Sequence, residues 1–320
     1  MSAGYQFRLL VQCLSAAFLV HLFFSVAIYF LAEHIIRFVD RLRPARAVRF
    51  LLFFRALPLI AAVYAAAAIT LPSYLRLETN THSERVGVLA FILAAAAVSI
   101  WLRPGFRSVV AISRSARLML RLKHNARPST LASNDVWIST DSVPRVAVAG
   151  LLRPRLVVSE AVLALFSPEQ LEMVLLHERA HQLWRDNCKR LLWLLLPDSL
   201  PFVNLAAPLD PAYKRLVEWA ADDFAAAGDS RRSVALADAL VAFARHQTRA
   251  SKYALVTSFV DDSATLTKRI DRLLNGPNDA VAETAAIPAL GLGALLAICL
   301  SVGHFTNLLG VHELLESLSQ

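Results

Sequence analysis

The 320-residue chain is 56% hydrophobic and only 18% charged, whereas soluble domains carry about a quarter charged residues, so an ordinary soluble protein is excluded. Its net charge of +8 comes with no motif that binds RNA or DNA, and much of the basic excess falls in short loops beside apolar segments. The charge therefore predicts contact with anionic lipid and not with nucleic acid.

Four apolar segments predict transmembrane helices, because a bilayer core takes about 20 apolar residues. The predicted spans cover about 9–32, 52–75, 86–102 and 285–308. A cleaved signal peptide is the alternative for the first segment, but its apolar run exceeds the roughly 7–15 residues of such signals and almost no basic residue precedes it. We therefore predict that the first segment is a transmembrane helix and not a signal peptide.

The basic residues predict the topology. Lys and Arg are concentrated in the loops that follow the first and third spans, and short basic loops stay in the cytoplasm. We therefore predict a membrane region over 1–102, a cytoplasmic domain over 103–283, and a last part over 284–320 with the fourth span and a short tail. Both chain termini are then extracytoplasmic in a multi-pass protein of the cell membrane.

The cytoplasmic domain begins with elements of mixed type. Residues 103–130 predict a basic amphipathic helix that leaves the membrane along its surface, and "RPSTLASND" (127–135) is interpreted as a polar linker. Three short runs of β-forming residues follow, at 136–139, 145–150 and 155–159. They predict a small sheet with an exposed edge, formed by 145–149 or by 155–159.

Helices dominate the rest of the domain. Ser167, Pro168 and Gln170 form a capping box that predicts a helix reaching about Trp184. Asp210-Pro211 predicts the start of a second helix in the same way, and this helix should end before Gly228. Two further helices are predicted, over 233–247 and 263–274.

The first of these helices carries "LLHERAHQLW" (175–184), which contains a His-Glu-x-x-His pattern. Residues four apart share one face of a helix, so His177 and His181 can bind a single metal ion. Glu178 is offset by about 100° and can reach a water bound to that ion. The pattern thus predicts a zinc site with Glu178 as the catalytic base, and a chance occurrence is the alternative.

A catalytic zinc ion takes three protein ligands, so one more is needed. "LVEWAADDFAA" (216–226) supplies Glu218 as the predicted third ligand, with Asp223 and Glu172 as weaker competitors. Asp222, one turn after Glu218, is predicted to accept a hydrogen bond from a liganding histidine. Arg179 and Asp186 are expected to form salt bridges or to support the site, without a catalytic role.

The apolar stretch 191–209 has the length of a further span, but one crossing there would separate Glu218 from the histidines. We therefore predict a shallow hairpin near the membrane surface, with Pro197, Asp198 and Pro201 at its turn. A pair of interfacial helices and a buried core segment are the alternatives.

Residues 149–187, which include "GLLRPRLVVS", the Pro-Glu-Gln-Leu helix start and the His-Glu-x-x-His, resemble the M56 membrane metallopeptidases of the BlaR1/MecR1 type. "EWAADD" and "LTKRIDRLL" also fit this family. The resemblance implies a mainly α membrane protein with four transmembrane helices and a cytoplasmic α+β gluzincin-type domain with a small sheet. It also implies one Zn²⁺ per chain held by His177, His181 and Glu218, with Glu178 as base.

The expected activity is that of a zinc endopeptidase that cleaves cytoplasmic or membrane-proximal proteins in regulatory signalling, and a transcriptional repressor would suit that role as substrate. Antibiotic sensors of the family carry an extracellular penicillin-binding domain after the fourth span. The sequence ends at Gln320, so direct β-lactam sensing is not expected. An HtpX-like quality-control protease and a catalytically silent scaffold are the alternatives, and a homodimer is left open.

Overall fold

Long apolar helices form the N-terminal part of the computed structural model, which describes residues 3–77, 87–131, 134–140, 145–198, 203–250 and 263–276. The predicted fourth span (285–308) and the tail after it lie outside the described residues. The helices are α1 (Ala3–Val39), α2 (Pro44–Tyr64), a π-helical turn (Ala65–Thr70), α3 (Leu71–Leu77) and α4 (Val88–Ser99).

Three helical stretches are long and apolar enough to cross a membrane: Gly4–Val39, Pro44–Arg76 and Val88–Arg117. Each overlaps one of the first three predicted spans, and the described part of the chain thus agrees with a membrane protein. The helices extend past the predicted limits because regular backbone hydrogen bonding continues where the apolar composition ends. The sidedness of the helices remains a prediction.

The basic helix α5 (Leu102–Asn125) follows α4 after a short irregular turn, as the sequence predicts, but it ends earlier than position 130. The polar linker assigned to 127–135 was wrong, because β1 (Ala126–Leu131) and the start of β2 (Asn134–Ser139) occupy most of it. Strand β1 pairs with β2 on one side only, so polar side chains are compatible with this edge position.

The sheet has four strands in the order β1-β2-β4-β3, where β3 is Val146–Ala149 and β4 is Arg155–Ser159. Strand β4 pairs in parallel with β2 and antiparallel with β3. The proposal that 155–159 could form a sheet edge is therefore wrong, since hydrogen bonds engage this strand on both sides. Strand β3 lies at the edge.

The remaining helices are α6 (Glu160–Leu165), α7 (Pro168–Leu183), α8 (Asp186–Leu195), α9 (Asp210–Ala226), α10 (Ser230–Ala250) and α11 (Ser263–Asn275), with a 3₁₀ turn (Ala207–Leu209) before α9. The predicted capping box of α7 is confirmed, with reciprocal hydrogen bonds between Ser167 and Gln170. Asp210 does not cap α9; its carboxylate instead accepts a hydrogen bond from Nε1 of Trp193 at 2.8 Å.

Two hydrophobic clusters organise the domain. The first joins the sheet to α6, α7, α10 and the end of α9, and it includes Val158, Val174 and Leu240. The second joins α1 and α2 to α8 and the start of α9, and it includes Trp193 and Leu216. Helix α9 thus belongs to both clusters and connects the apolar helices to the sheet. Membrane entry of 191–209 remains a prediction.

Replacement of Leu240 by Ala should destabilise the domain by about 2–5 kcal/mol, because this side chain is fully buried in the first cluster. Val234→Ala on the same helix is the control, since Val234 is 47% exposed. Thermal unfolding of the purified protein measures both. Equal shifts in Tm for the two variants would contradict the core assigned here.

Candidate metal centre

Helix α7 directs two histidines to one point. The capping box at Ser167 fixes where this helix begins, and His177 and His181 follow one turn apart on its inner face. Their Nε2 atoms lie 3.1 Å apart, and the two ring planes meet at 82°. Both imidazoles therefore present a nitrogen to the same small volume.

Helix α9 brings a carboxylate to that volume from the opposite side. Oε2 of Glu218 lies 3.5 Å from Nε2 of His177, and Oε1 lies 3.8 Å from Nε2 of His181. The structure thus brings together His177, His181 and Glu218, with ligand atoms within 4.8 Å of one another. The two alternative third ligands do not reach this point. Asp223 pairs with Arg272 instead, and Glu172 is exposed.

This donor set fits a catalytic zinc ion. Two histidine nitrogens and one glutamate oxygen are a recognised three-ligand set that leaves a coordination position for water. When each ligand atom lies about 2.1 Å from a tetrahedral zinc ion, two ligand atoms lie roughly 3.4 Å from each other. The separations of 3.1, 3.5 and 3.8 Å approach this value without rearrangement of the helices.

Each histidine has a carboxylate behind it. Nδ1 of His177 lies 2.9 Å from Oδ1 of Asp222, where the sequence places a supporting carboxylate. Nδ1 of His181 lies 2.8 Å from Oδ2 of Asp186, whose other oxygen accepts a hydrogen bond from Lys189 at 2.7 Å. Such partners keep the proton on Nδ1, so that Nε2 is available to a metal ion.

Asp186 reaches His181 because the chain turns sharply between α7 and α8. Arg185 adopts a left-handed conformation with φ of 52°, and α8 starts at the next residue. The sequence identified Asp186 as a supporting group but did not specify its partner. His181 and Asp186 are five residues apart and lie on two different helices. Whether they meet depends on the turn between the helices, and helical periodicity does not predict that turn.

Arg269 on α11 is a residue of the centre that the sequence analysis missed. Its Nε donates to Oδ2 of Asp222 at 2.9 Å and its Nη2 to Oδ1 at 2.7 Å, while Nη1 lies 3.0 Å from Oε2 of Glu218. A signal was present, since Arg269 shares the apolar face formed by Leu266, Ile270 and Leu273. A charged residue on such a face indicates a buried partner.

The charges around the centre shift its titrating groups. Burial opposes protonation of His177, but the nearby carboxylates of Asp222 and Glu218 prevail and raise its pKa to about 9. Burial would raise the pKa of Glu218, yet Arg269 and His177 outweigh it and lower this pKa to about 2. The pKa of Asp222 lies well below its usual range for the same reasons.

Glu178 differs from the other two carboxylates. Its side chain is buried beside the histidines, and burial raises its pKa although His181 and His177 partly oppose the shift. Arg269, in contrast, has a raised pKa because attraction to Asp222 and Glu218 outweighs its burial. The centre thus combines two strongly acidic carboxyls with one that holds a proton more readily, a separation of roles typical of acid–base sites.

The comparison with protein families gives one match, to the family described as BlaR1 peptidase M56, over residues 85–273. This segment is more than half of the chain. The chain belongs to the M56 peptidase family. The comparisons with curated proteins and with solved structures gave no match.

Membership in the M56 family confirms the resemblance inferred from the sequence. Together with the three apolar helices, it supports a membrane metallopeptidase. The matched segment contains the two histidines and Glu218 of the candidate centre, and it also contains Asp222 and Arg269.

Removal of Arg269 should destabilise the protein strongly, because it leaves the buried Asp222 carboxylate without its guanidinium. We expect Arg269→Gln to cost about 3–5 kcal/mol. Arg272→Gln is the matched control on the same helix. Arg272 pairs with the exposed Asp223 and lies over the Trp219 ring, so its loss should cost about 1–2 kcal/mol at most. Thermal unfolding in detergent compares the two variants. An equal loss of stability in both would contradict a stabilising role for the buried contacts of Arg269.

Proposed function

We propose that this protein is an integral membrane zinc endopeptidase. The observation that carries the proposal is the convergence of His177, His181 and Glu218 on one point, with the buried Glu178 next to them. Family membership supports peptidase chemistry in general, and the geometry of these four side chains supports the specific reaction type.

The proposed roles follow from the chemistry of each group. His177, His181 and Glu218 would hold the ion, and zinc there would supply a water of pKa about 7 and a polarised scissile carbonyl. Glu178 accepts the proton of the attacking water and returns it to the leaving amine. A raised pKa suits this exchange, because the carboxyl must be deprotonated at the first step and protonated before the second.

Asp222 and Asp186 orient the two imidazoles for this role. Each carboxylate lies within 3 Å of an Nδ1 atom, which fixes the ring orientation and makes the other nitrogen more basic. Arg269 balances the charge of Asp222 and Glu218 and holds both at fixed positions on α9. None of these three groups needs to contact the substrate.

The edge strand β3 is the proposed docking surface for the substrate backbone. The N–H of Ser159 donates to the C=O of Arg145, and the register then directs the backbone groups of Val146 and Val148 away from β4. Asn187, which follows Asp186 in α8, donates to the Val148 carbonyl, so this edge lies next to the metal centre. An extended peptide added here would be bound largely through its main chain.

The substrates proposed are cytoplasmic or membrane-proximal proteins, since the basic loops predict a cytoplasmic peptidase domain. Cleavage of one regulatory protein, such as a transcriptional repressor, would place the enzyme in signalling. Cleavage of many membrane proteins would instead indicate quality control.

Glu178→Gln should retain zinc and lose cleavage, because the amide can fill the space of the carboxylate but cannot carry the proton. General acid–base groups contribute about 10²–10⁴-fold, and a loss of this size is expected. The measurement compares new protein N-termini in host cells that express wild type or variant at equal level.

Glu172→Gln is the control, since Glu172 is exposed on the same helix. Zinc content of the purified variants shows that the ligands are intact, and His177→Ala should lose the metal. Identical N-terminal profiles for wild type and Glu178→Gln under several stress conditions would favour the silent scaffold.

Val148→Pro should raise KM with little effect on kcat, because proline removes an outward N–H from the docking edge. The expected change is about 3–10-fold, the equivalent of one hydrogen bond of about 1 kcal/mol. Val148→Ala is the control, since it loses similar packing but keeps the N–H. The kinetics use a substrate identified from the N-terminal profiles, and equal KM values for both variants would argue against docking at β3.

A further inference from the structure

A buried arginine connects an apolar helix to the end of α8. Arg55 lies within α2, in the second stretch that is long enough to cross a membrane. Its guanidinium donates to the carbonyls of Leu196 and Pro197 at 2.8 and 2.9 Å and to Oδ1 of Asp198 at 3.1 Å. It therefore holds three consecutive residues directly after α8.

Asp198 is held from a second direction. Its side chain is fully buried, and Oδ2 lies 3.4 Å from Arg103 and 3.6 Å from Arg107 at the start of α5. One carboxylate thus connects the residues after α8 with α2 and with the start of α5. Buried ion pairs contribute little net stability but can fix one arrangement among alternatives, so a role in positioning fits better than a role in stability.

Helix α8 connects this cluster to the metal centre. Asp186 at its first position lies 2.8 Å from Nδ1 of His181. Near its other end, Trp193 donates to Asp210 and stacks on Tyr213 at 4.1 Å, and both partners lie in the first turn of α9, the helix that carries Glu218. A ten-residue helix is a rigid body about 15 Å long, so a shift at Asp198 moves Asp186 as well.

We propose that Arg55 and Asp198 are positioning residues that set the place of α8 and through it the orientation of His181. The membrane helices then regulate the metal centre, since a shift of α2 relative to α5 alters the contacts of Asp198. This inference rests on the proposed zinc peptidase function. It adds the route by which the membrane region controls the same site.

The test measures zinc affinity of the full-length protein in lipid nanodiscs, at a temperature where every variant is folded. Arg55→Met should weaken zinc binding about tenfold, the lower end of the effect of groups that orient metal ligands. Arg55→Lys should fall between Arg55→Met and wild type, because lysine keeps the charge but cannot make all three contacts. Arg49→Met is the matched control, since Arg49 is exposed on α2 and bonds only within its own helix in the described structure.

Asp198→Asn provides a second, milder variant in case Arg55→Met does not fold, and it should also bind zinc more weakly than wild type. A lower Tm with unchanged zinc affinity in the folded variants would overturn the inference and leave the proposed function intact. A wild-type protein that binds no zinc, while His177→Ala behaves identically, would overturn the proposed function and this inference with it.

Discussion

The compensation of buried negative charge is the constraint on which the metal centre depends. Asp222 is almost completely buried, and a carboxylate can remain ionised there only if hydrogen bonds and an opposite charge replace water. Arg269 supplies that charge from α11, while His177 occupies the other side of the same carboxylate from α7. One carboxylate thus contacts residues of two other helices, and the proposed ligands Glu218 and His177 are positioned by this arrangement.

A similar contact recurs at the other end of the domain. Asp198 is buried between Arg55, Arg103 and Arg107, and it joins the chain after α8 to α2 and to the start of α5. Helix α9 reinforces the connection, because its first half packs on α2 and its second half packs in the core beneath the sheet. The helix that carries Glu218 therefore packs against the apolar helices at one end and in the sheet core at the other.

Local patterns in the sequence were sufficient for much of the centre. The four-residue spacing of His177 and His181 and the capping box at Ser167 both act within one helix, so periodicity predicts them. What the sequence did not predict depends on tertiary contacts. The position of Arg269 on an apolar face indicates a buried partner but not which carboxylate that partner is. Asp210 has a capping sequence but bonds Trp193 instead. The sequence left open whether 145–149 or 155–159 forms the sheet edge, because a run of five residues does not show which strands pair with it.

The two buried clusters also suggest why a membrane peptidase would be built in this way. Oriented metal ligands tolerate displacements of only about 0.5 Å before function suffers. Asp186 and Asp222 hold the two histidines from different helices, and α8 is in turn held by Arg55, whereas α9 is held by Arg269. On the proposed mechanism of control, a small shift of α2 would disturb His181 through Asp186 and leave the contact between His177 and Asp222 in place. Regulation would then act mainly through His181, while Arg269 holds Asp222 and Glu218 in place against a shift at the start of α9.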